Sequence, residues 1–366
     1  MTSRALPLAA LSLLVACNES NNHAPPPATT TATTPVVSAM PSATASAGPS
    51  AEDKKKAEEA KQLADDRSKM QSSIKAEEMR WTPELHEEAK ALVAKKYASV
   101  GAAIDAALAS KTRMPGNKKR DASRHPKEEL TFFGLKPTMT VLEVGPGEGW
   151  YTEILAPVLA PQGKLMVTTT DPNASVDLRP TMYAQRTRAF LAKSPELYGK
   201  VQPVVFDPQA PALNLDGSVD MVLVIRGLHG MVQQGNLTRW LGEYHKALKP
   251  DGVLGIEQHR SKPDATSDQD GKRGYLPEAW VIQQIEAAGF KLAGKSEINA
   301  NPKDTKDYEP GVWALPPTYR LGDKDRDRYT AIGESDRMTL RFVKVPLKDA
   351  KGAASGAPAA SAAPKK

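Results

Sequence analysis

The chain has a single cysteine among its 366 residues, Cys17. One cysteine excludes an intramolecular disulfide framework, and it excludes zinc or iron–sulfur sites built from several thiolates. The place of this cysteine, close to the N-terminus, is therefore more informative than its number.

Apolar residues are also scarce. Hydrophobic residues make up 40% of the chain and aromatic residues 5%, and there are 30 prolines. Globular proteins contain about 45–50% apolar residues, so part of this chain is not expected to enter a core. The net charge of +6 is spread over interleaved acids and bases without an aromatic–basic stripe, so nucleic acid is not an expected partner.

Residues 1–17 have the pattern of a targeting segment. Arg4 precedes about a dozen apolar residues, which is the length of a signal-peptide core and too short to cross a bilayer. The run ends in LVAC at positions 14–17, which resembles the lipobox of bacterial lipoproteins. That resemblance implies lipidation of Cys17 and, with Asn18 next, a periplasmic protein anchored to the outer membrane. The alternative is a buried helix start that happens to contain a cysteine.

Composition divides the rest of the chain into four parts. Residues 18–50 and 348–366 are rich in Pro, Thr, Ala, Ser and Lys, cannot bury enough apolar surface to fold, and are predicted to be a disordered tether and tail. Residues 51–122 are predicted to be a helical arm, and residues 123–347 a folded domain.

Two helices are predicted in the arm. The first, over residues 51–79, is rich in Lys, Glu and Ala with few apolar positions, so it is either a solvated spacer or a partner-binding coil. The second begins with Thr82 as N-cap and Pro83 at the first position. Apolar residues then recur with helical spacing as far as Leu108, which predicts one helix packed on the core.

The domain opens with a strand, a glycine-rich loop and a helix. The strand at 141–144 leads into Gly145, Gly147 and Gly149, and the helix follows. Glycine lets a backbone turn sharply and approach a ligand closely, and the start of a helix favours a negatively charged group.

Further strands alternate with helices. They are predicted at 163–170, 201–206, 218–225 and 253–257, with a helix at 236–248 and a turn at 249–252. Near-continuous apolar strands separated by helices predict an α/β fold with a doubly wound parallel sheet. Asp171 follows the second strand about 20 residues after the glycine loop, where such folds bind a ribose diol.

These motifs resemble those of class I S-adenosylmethionine-dependent methyltransferases. The loop EVGPGEG (143–149) resembles their first motif, and ALKPDGVL (247–254) their turn before the fifth strand. The resemblance implies a Rossmann-like sheet of seven strands, mostly parallel, with an antiparallel last hairpin at 290–292 and 338–343. The stretches DASRHPKEELTFFGLKP, GWYTEILAP, SEINANPKDTKDYEPGVWALPP and IGESDRMTLRFVK resemble a bacterial family of predicted methyltransferases, often exported, whose substrate is not established.

The resemblance also implies S-adenosyl-L-methionine as cofactor. The glycines would approach its methionine part, with an acid beneath the loop, and two later acids would bind its ribose and adenine. The implied cofactor-binding residues are Glu143, Gly145, Gly147, Gly149, Asp171 and Asp207. The alternative is a fold kept without cofactor, in which the glycines serve only the turn.

The reacting groups should lie beyond the carboxyl ends of strands four and five, where open α/β sheets bind their ligands. His229 and His259 are the candidate bases, with His229 favoured, and Glu257 is the third candidate catalytic residue. A zinc site built from these three is a less favoured alternative.

Candidate substrate-binding residues lie in three places. Two arginines follow strands four and five, three polar residues sit in a long insertion before the last strand and are interpreted as part of a lid, and two charged residues precede that strand. They are Arg226 and Arg260; Asn299, Asn301 and Asp304; Asp336 and Arg337. The alternatives are that the insertion residues build only turns and that the last two are only a charged strand entry. Arg124 and His125 are a further candidate wall of the pocket.

Two functions therefore remain open. The first is methyl transfer to a small molecule or an envelope component. The second is a non-catalytic envelope lipoprotein that keeps the fold as a binding or scaffold domain, and a pocket for another adenosine-like or anionic ligand is a third possibility. The first function conflicts with export, because the cofactor is made in the cytosol whereas the lipobox directs the chain out of it.

Overall fold

The structure, a computed structural model, describes residues 50–346. Its centre is one sheet of seven strands in the order β3-β2-β1-β4-β5-β7-β6. Strands β1 to β5 pair in parallel, whereas β7 pairs antiparallel with both β5 and β6. The strands are β1 (Thr140–Val144), β2 (Lys164–Thr169), β3 (Gln202–Val205), β4 (Val219–Ile225), β5 (Leu248–His259), β6 (Phe290–Ser296) and β7 (Arg337–Lys344). The predicted fold class, a Rossmann-like methyltransferase sheet with an antiparallel last hairpin, is confirmed.

The central strands are mostly apolar because both faces of the sheet are covered. Leu142 of β1 and Val222 of β4 belong to the core on one face. Val141 and Leu223, their chain neighbours, belong to the core on the other face. Successive side chains of a strand point to opposite faces, so a strand buried on both sides has no polar alternation.

Helices cover both faces and form the N-terminal arm. They are α1 (Ala51–Arg80), α2 (Pro83–Ala94), α3 (Val100–Ala109), α4 (Pro115–Lys118), α5 (Asp121–Arg124), α6 (Pro126–Phe133), α7 (Thr152–Leu159), α8 (Arg179–Ala192), α9 (Pro195–Tyr198), α10 (Leu228–Gln233), α11 (Leu237–Ala247), α12 (Ser267–Gly271), α13 (Glu278–Ala287) and α14 (Arg326–Ile332), with a 3₁₀ turn at Gly311–Ala314. None of the residues of α1 is buried, as expected for a solvated spacer, but Asp66 pairs with Arg179 of α8 at 2.6 Å.

The prediction of one helix from residue 83 to residue 108 is wrong. The chain forms two helices, α2 and α3, with a break between them. Ser99 causes a new start, because its side chain accepts a hydrogen bond from the backbone N–H of Ala102 at 3.1 Å and so caps α3. Helical spacing of apolar residues continues across the break and therefore does not reveal it.

The predicted turn at 249–252 lies inside a strand. β5 begins at Leu248, which pairs with Val219, and the next partners are Val253 and Met221. Residues 249–252 are thus an irregularity within β5, where Asp251 has a φ of +59°. The chain turns without leaving the sheet.

Several predictions concern residues 1–49 and 347–366, which lie outside the described part of the chain. They are the signal peptide, the lipidation of Cys17, nearly all of the tether, and the tail. Within residues 50–346, no helix combines the length and the apolar character needed to cross a membrane. The boundary between arm and domain at residue 123 stays a prediction.

Candidate active site

The glycine-rich loop forms an open-faced turn at the carboxyl end of β1. Gly145, Gly147 and Gly149 have φ angles of +62°, +60° and +79°, in the left-handed region that favours glycine. A Cβ atom added to Gly145 would meet nothing within 4 Å. The backbone N–H of Gly145 donates to Oγ1 of Thr168 in β2 at 2.8 Å, which fixes the start of the loop. The space in front of this glycine is free to receive a ligand.

Glu143 lies beneath this loop, as predicted. It is buried in β1, and its carboxyl group accepts a hydrogen bond from the hydroxyl of Thr152, the first residue of α7, at 2.7 Å. Burial raises the pKa of Glu143 to about 7. The side chain therefore ties the strand before the loop to the helix after it.

Asp171 and Asp207 are exposed, just past the carboxyl ends of β2 and β3. Each carboxylate accepts a backbone hydrogen bond at 2.8 Å, Asp171 from Asn173 and Asp207 from Gln209. Because β1, β2 and β3 are parallel neighbours, the loop and both acids lie along one edge of the sheet. Their predicted roles toward ribose and adenine stay predictions.

A group of six ionisable side chains, which we call the Arg–Glu cluster, lies around the carboxyl ends of β4 and β5. Its members come from both ends of the domain sequence and from the strands between them. They are Arg124, Glu129, Arg226, Glu257, Glu334 and Arg337. Arg226 and Arg337 were predicted to bind substrate and Glu257 to take part in catalysis, and the structure brings these three together.

Most of the cluster is closely paired. Nε of Arg124 donates to both carboxylate oxygens of Glu334, at 3.0 and 2.9 Å. Arg337 pairs with Glu334 at 3.2 Å and is in contact with Glu257. Arg226 is paired more loosely, with its Nη1 atom 3.6 Å from Oε2 of Glu257.

Glu129 and Tyr151 are site residues that the sequence reasoning missed. Both are buried, and the Tyr151 hydroxyl donates to the carboxyl group of Glu129. Burial, and then the nearby charge of Glu257, raises the pKa of Glu129 to about 8, so this group is mainly protonated at pH 7. Helical spacing in the sequence could have indicated the burial of Glu129, because it lies four residues before Phe133 in α6 and therefore on the same buried face.

The two candidate bases lie side by side. The rings of His229 and His259 have centroids 5.9 Å apart, and Nδ1 of His259 is 2.6 Å from the hydroxyl of Ser335. Burial lowers the pKa of His229 to about 4, and burial together with nearby positive charges holds the pKa of His259 well below its usual range. Both imidazoles are neutral at pH 7 and are weak bases. Within residues 50–346, no three His, Cys, Asp or Glu side chains are grouped to hold a metal ion.

One of the aromatic residues in the insertion between β6 and β7, Trp313, lies against His229. The ring of Trp313 lies 6.0 Å from that of His229. Asn299 is buried, and its Oδ1 atom is 3.3 Å from Nδ1 of His125 and 3.4 Å from Nη2 of Arg337. Trp313 was not among the predicted site residues.

Four predicted substrate-binding residues are brought together in a separate network. Arg260 donates to Asp336 at 2.9 Å, Asp304 accepts the backbone N–H of Asp336 at 2.8 Å, and Asn301 donates to two backbone carbonyl groups. Arg260 also pairs with Glu278 at 3.0 Å. These contacts fasten the insertion to the start of β7, and the predicted role of these residues in substrate binding stays a prediction.

Residues 118–292 match a family of domains described as "Methyltransferase domain". Together with the strand order, this match supports a class I methyltransferase with S-adenosylmethionine as its cofactor. The match covers slightly less than half of the chain.

Two curated proteins are similar to part of the chain. They are the non-reducing polyketide synthase sor2 of Hypocrea jecorina (strain QM6a), 34% identical over 119 residues, and the non-reducing polyketide synthase SAT8 of Stachybotrys chartarum (strain CBS 109288 / IBT 7711), 30% identical over 116 residues. Each alignment covers 32% of this chain and 4% of the other protein, so the chain spans only a small fraction of these relatives.

Solved structures are also similar. One is a SAM-dependent methyltransferase from Aquifex aeolicus, 19% identical with a TM-score of 0.40, aligned over 63% of this chain and 97% of that one. Another is an O-methyltransferase family protein from Burkholderia thailandensis, 17% identical with a TM-score of 0.38, aligned over 66% of this chain and 59% of that one.

Proposed function

We propose that this chain is an S-adenosylmethionine-dependent methyltransferase that acts on a small molecule or an envelope component. The observation that carries the proposal is the glycine loop: a left-handed, open-faced turn between β1 and α7, flanked along the same sheet edge by two exposed acids. A side chain at Gly145 would fill the space that a bound cofactor needs.

The residues present fit that cofactor. The loop would lie against its methionine part. Asp171 would accept hydrogen bonds from the ribose hydroxyls, and Asp207 would accept one from the adenine amino group. When bound, S-adenosylmethionine supplies an electrophilic methyl group on a sulfonium. The protein has to orient the acceptor in line with that group and keep water away. The Arg–Glu cluster, the two histidines and Trp313 would form the acceptor's surroundings.

Calorimetry on the full chain tests the proposal. S-adenosylmethionine and S-adenosylhomocysteine are expected to bind, whereas NAD⁺, which shares the adenosine part, is expected to bind more weakly or not at all. If neither S-adenosylmethionine nor S-adenosylhomocysteine gives heat at high micromolar concentration, while circular dichroism shows that the chain is folded, the proposed methyltransferase function is excluded. Tighter binding of NAD⁺ would instead support another adenosine-containing ligand.

We also propose that the enzyme works in the periplasm, anchored through lipidated Cys17. The support is the sequence pattern: the lipobox-like LVAC and the polar, proline-rich tether after it. Metabolic labelling with a clickable fatty acid is expected to mark the wild-type chain but not Cys17→Ala. Equal labelling of both would refute the anchor while leaving the cofactor proposal untouched.

A further inference from the structure

The Arg–Glu cluster has an unequal number of charges. Three arginines face three glutamates, but Glu129 is mainly protonated at pH 7 because its pKa is raised to about 8. The neighbouring histidines are neutral. Burial, and then the neighbouring guanidinium of Arg226, lowers the pKa of Arg124 to about 10, as expected where positive charge exceeds negative charge in a buried region.

Arg226 is the arginine that the protein leaves least satisfied. Arg124 and Arg337 make hydrogen bonds to Glu334, whereas the contact of Arg226 with Glu257 is an ion pair at 3.6 Å. Within residues 50–346, the buried Nη1 atom of Arg226 has no hydrogen-bond partner. A buried donor without a partner costs about 1–3 kcal/mol, so a ligand that supplies an acceptor there is favoured.

The backbone fixes Arg226 at the carboxyl end of β4. It directly follows β4, and its N–H donates to the carbonyl oxygen of Glu257 at 2.6 Å. Its φ is +54°, a left-handed conformation that costs a non-glycine residue about 1–2 kcal/mol. Such strain is found preferentially at functional sites. The side chain as a whole remains 20% exposed, so part of it borders solvent, while the Nη1 atom itself is buried.

We propose that the substrate carries a carboxylate group and that Arg226 binds this group. This inference rests on the proposed methyltransferase function. A guanidinium group offers two parallel N–H donors that match a carboxylate, and such a ligand would supply the acceptor that the Nη1 atom of Arg226 lacks. Since Trp313 lies beside His229, three residues after Arg226, the body of the substrate would lie against an aromatic ring.

Benzoate and benzamide are suitable probes, because they differ in charge but hardly in shape. Each is titrated into the full chain, with and without saturating S-adenosylhomocysteine, and binding is followed by saturation-transfer NMR. Wild type is expected to bind benzoate at least tenfold more tightly than benzamide. Arg226→Gln is expected to lose this preference, and Arg226→Lys to keep part of it. Arg239→Gln, which removes an exposed arginine of α11, is the control for the change in net charge and is expected to behave as wild type.

Three results would overturn the inference: no preference for benzoate in wild type, an unchanged preference in Arg226→Gln, or weaker binding of S-adenosylhomocysteine by Arg226→Gln. Weaker binding of S-adenosylhomocysteine would place Arg226 in the cofactor site and not in the substrate site. If S-adenosylhomocysteine does not bind to wild type, the proposed function fails, and the titration without it still shows whether Arg226 selects a carboxylate.

Discussion

The ring of Phe190, in α8, lies against Gly149 so closely that a Cβ atom on this glycine would be 2.3 Å from the ring carbon Cζ. Gly145, four residues earlier, has open space instead. Both glycines have positive φ angles, so the two positions share the backbone constraint and differ in what surrounds them. The third glycine of the loop is thus required for packing, and the first leaves room for a ligand.

We predict that alanine affects mainly stability at Gly149 and mainly cofactor binding at Gly145. Gly149→Ala is expected to lower the free energy of unfolding by about 2–4 kcal/mol, since it combines a backbone penalty with a clash in the core. Gly145→Ala is expected to cost only about 1 kcal/mol but to weaken S-adenosylhomocysteine binding at least tenfold. Urea unfolding and calorimetry measure the two effects. Full cofactor affinity in Gly145→Ala would show that no ligand lies against this residue.

The sheet and the glycine loop could be predicted from local sequence. Burial on both faces requires runs of apolar residues in the strands, and positive φ angles require closely spaced glycines in the loop. The contact between Phe190 and Gly149 could not, since it joins residues far apart in the chain. The same holds for the Arg–Glu cluster, in which Arg124 meets Glu334 across 210 positions. Charged residues at strand ends look alike in sequence, so Arg226 and Arg260 received the same predicted role although the structure gives them different surroundings.

Asp171 provides a test of the predicted ribose site. Asp171→Asn keeps an oxygen that can accept the N–H of Asn173, so the local turn should survive, but it weakens the acceptor for a ribose diol. We expect S-adenosylhomocysteine affinity to fall by about 1–3 kcal/mol. Asp177→Asn, an exposed acid six residues later, is the control and should bind as wild type. Unchanged affinity in Asp171→Asn would mean that the ribose lies elsewhere.

Arg260 is expected to stabilise the fold rather than bind substrate. Its guanidinium pairs with Asp336 at 2.9 Å and Glu278 at 3.0 Å, and the Asp336 side chain is only 7% exposed. Arg260→Leu should cost about 2–4 kcal/mol of unfolding free energy, because a nearly buried carboxylate loses a partner. The double variant with Asp336→Asn should cost less than the sum of the two single changes. If Arg260→Leu is as stable as wild type, Arg260 is not needed for the stability of the fold, and its predicted role in substrate binding is favoured again.

Glu143 should make stability depend on pH in the neutral range. Its pKa is raised from 4.5 to about 7 by burial, so the folded protein holds this proton more tightly than the unfolded chain does. The free energy of unfolding therefore falls as the pH rises from about 4.5 through 7, by roughly 3 kcal/mol for this group. The side chain of Glu143→Gln cannot ionise. The free energy of unfolding of this variant, relative to that of wild type, should therefore rise by about that amount from pH 5 to pH 8. Glu128→Gln, exposed on α6, is the control and should show no such gain.

His229 should act in the opposite direction. Burial lowers its pKa from 6.5 to about 4, so the unfolded chain binds the proton more readily and stability falls as the pH drops from about 6.5 toward 4. The imidazole signal of His229 can be assigned in NMR spectra because it is absent from His229→Asn. In wild type, this signal should show no protonation between pH 5 and pH 8. The same variant should lose roughly 3 kcal/mol less stability on acidification than wild type does. A neutral, weakly basic His229 suits an acceptor that enters already ionised and needs no proton removed. An observed midpoint near pH 6.5 would restore His229 as a general base at neutral pH, and with it acceptors that bind in protonated form.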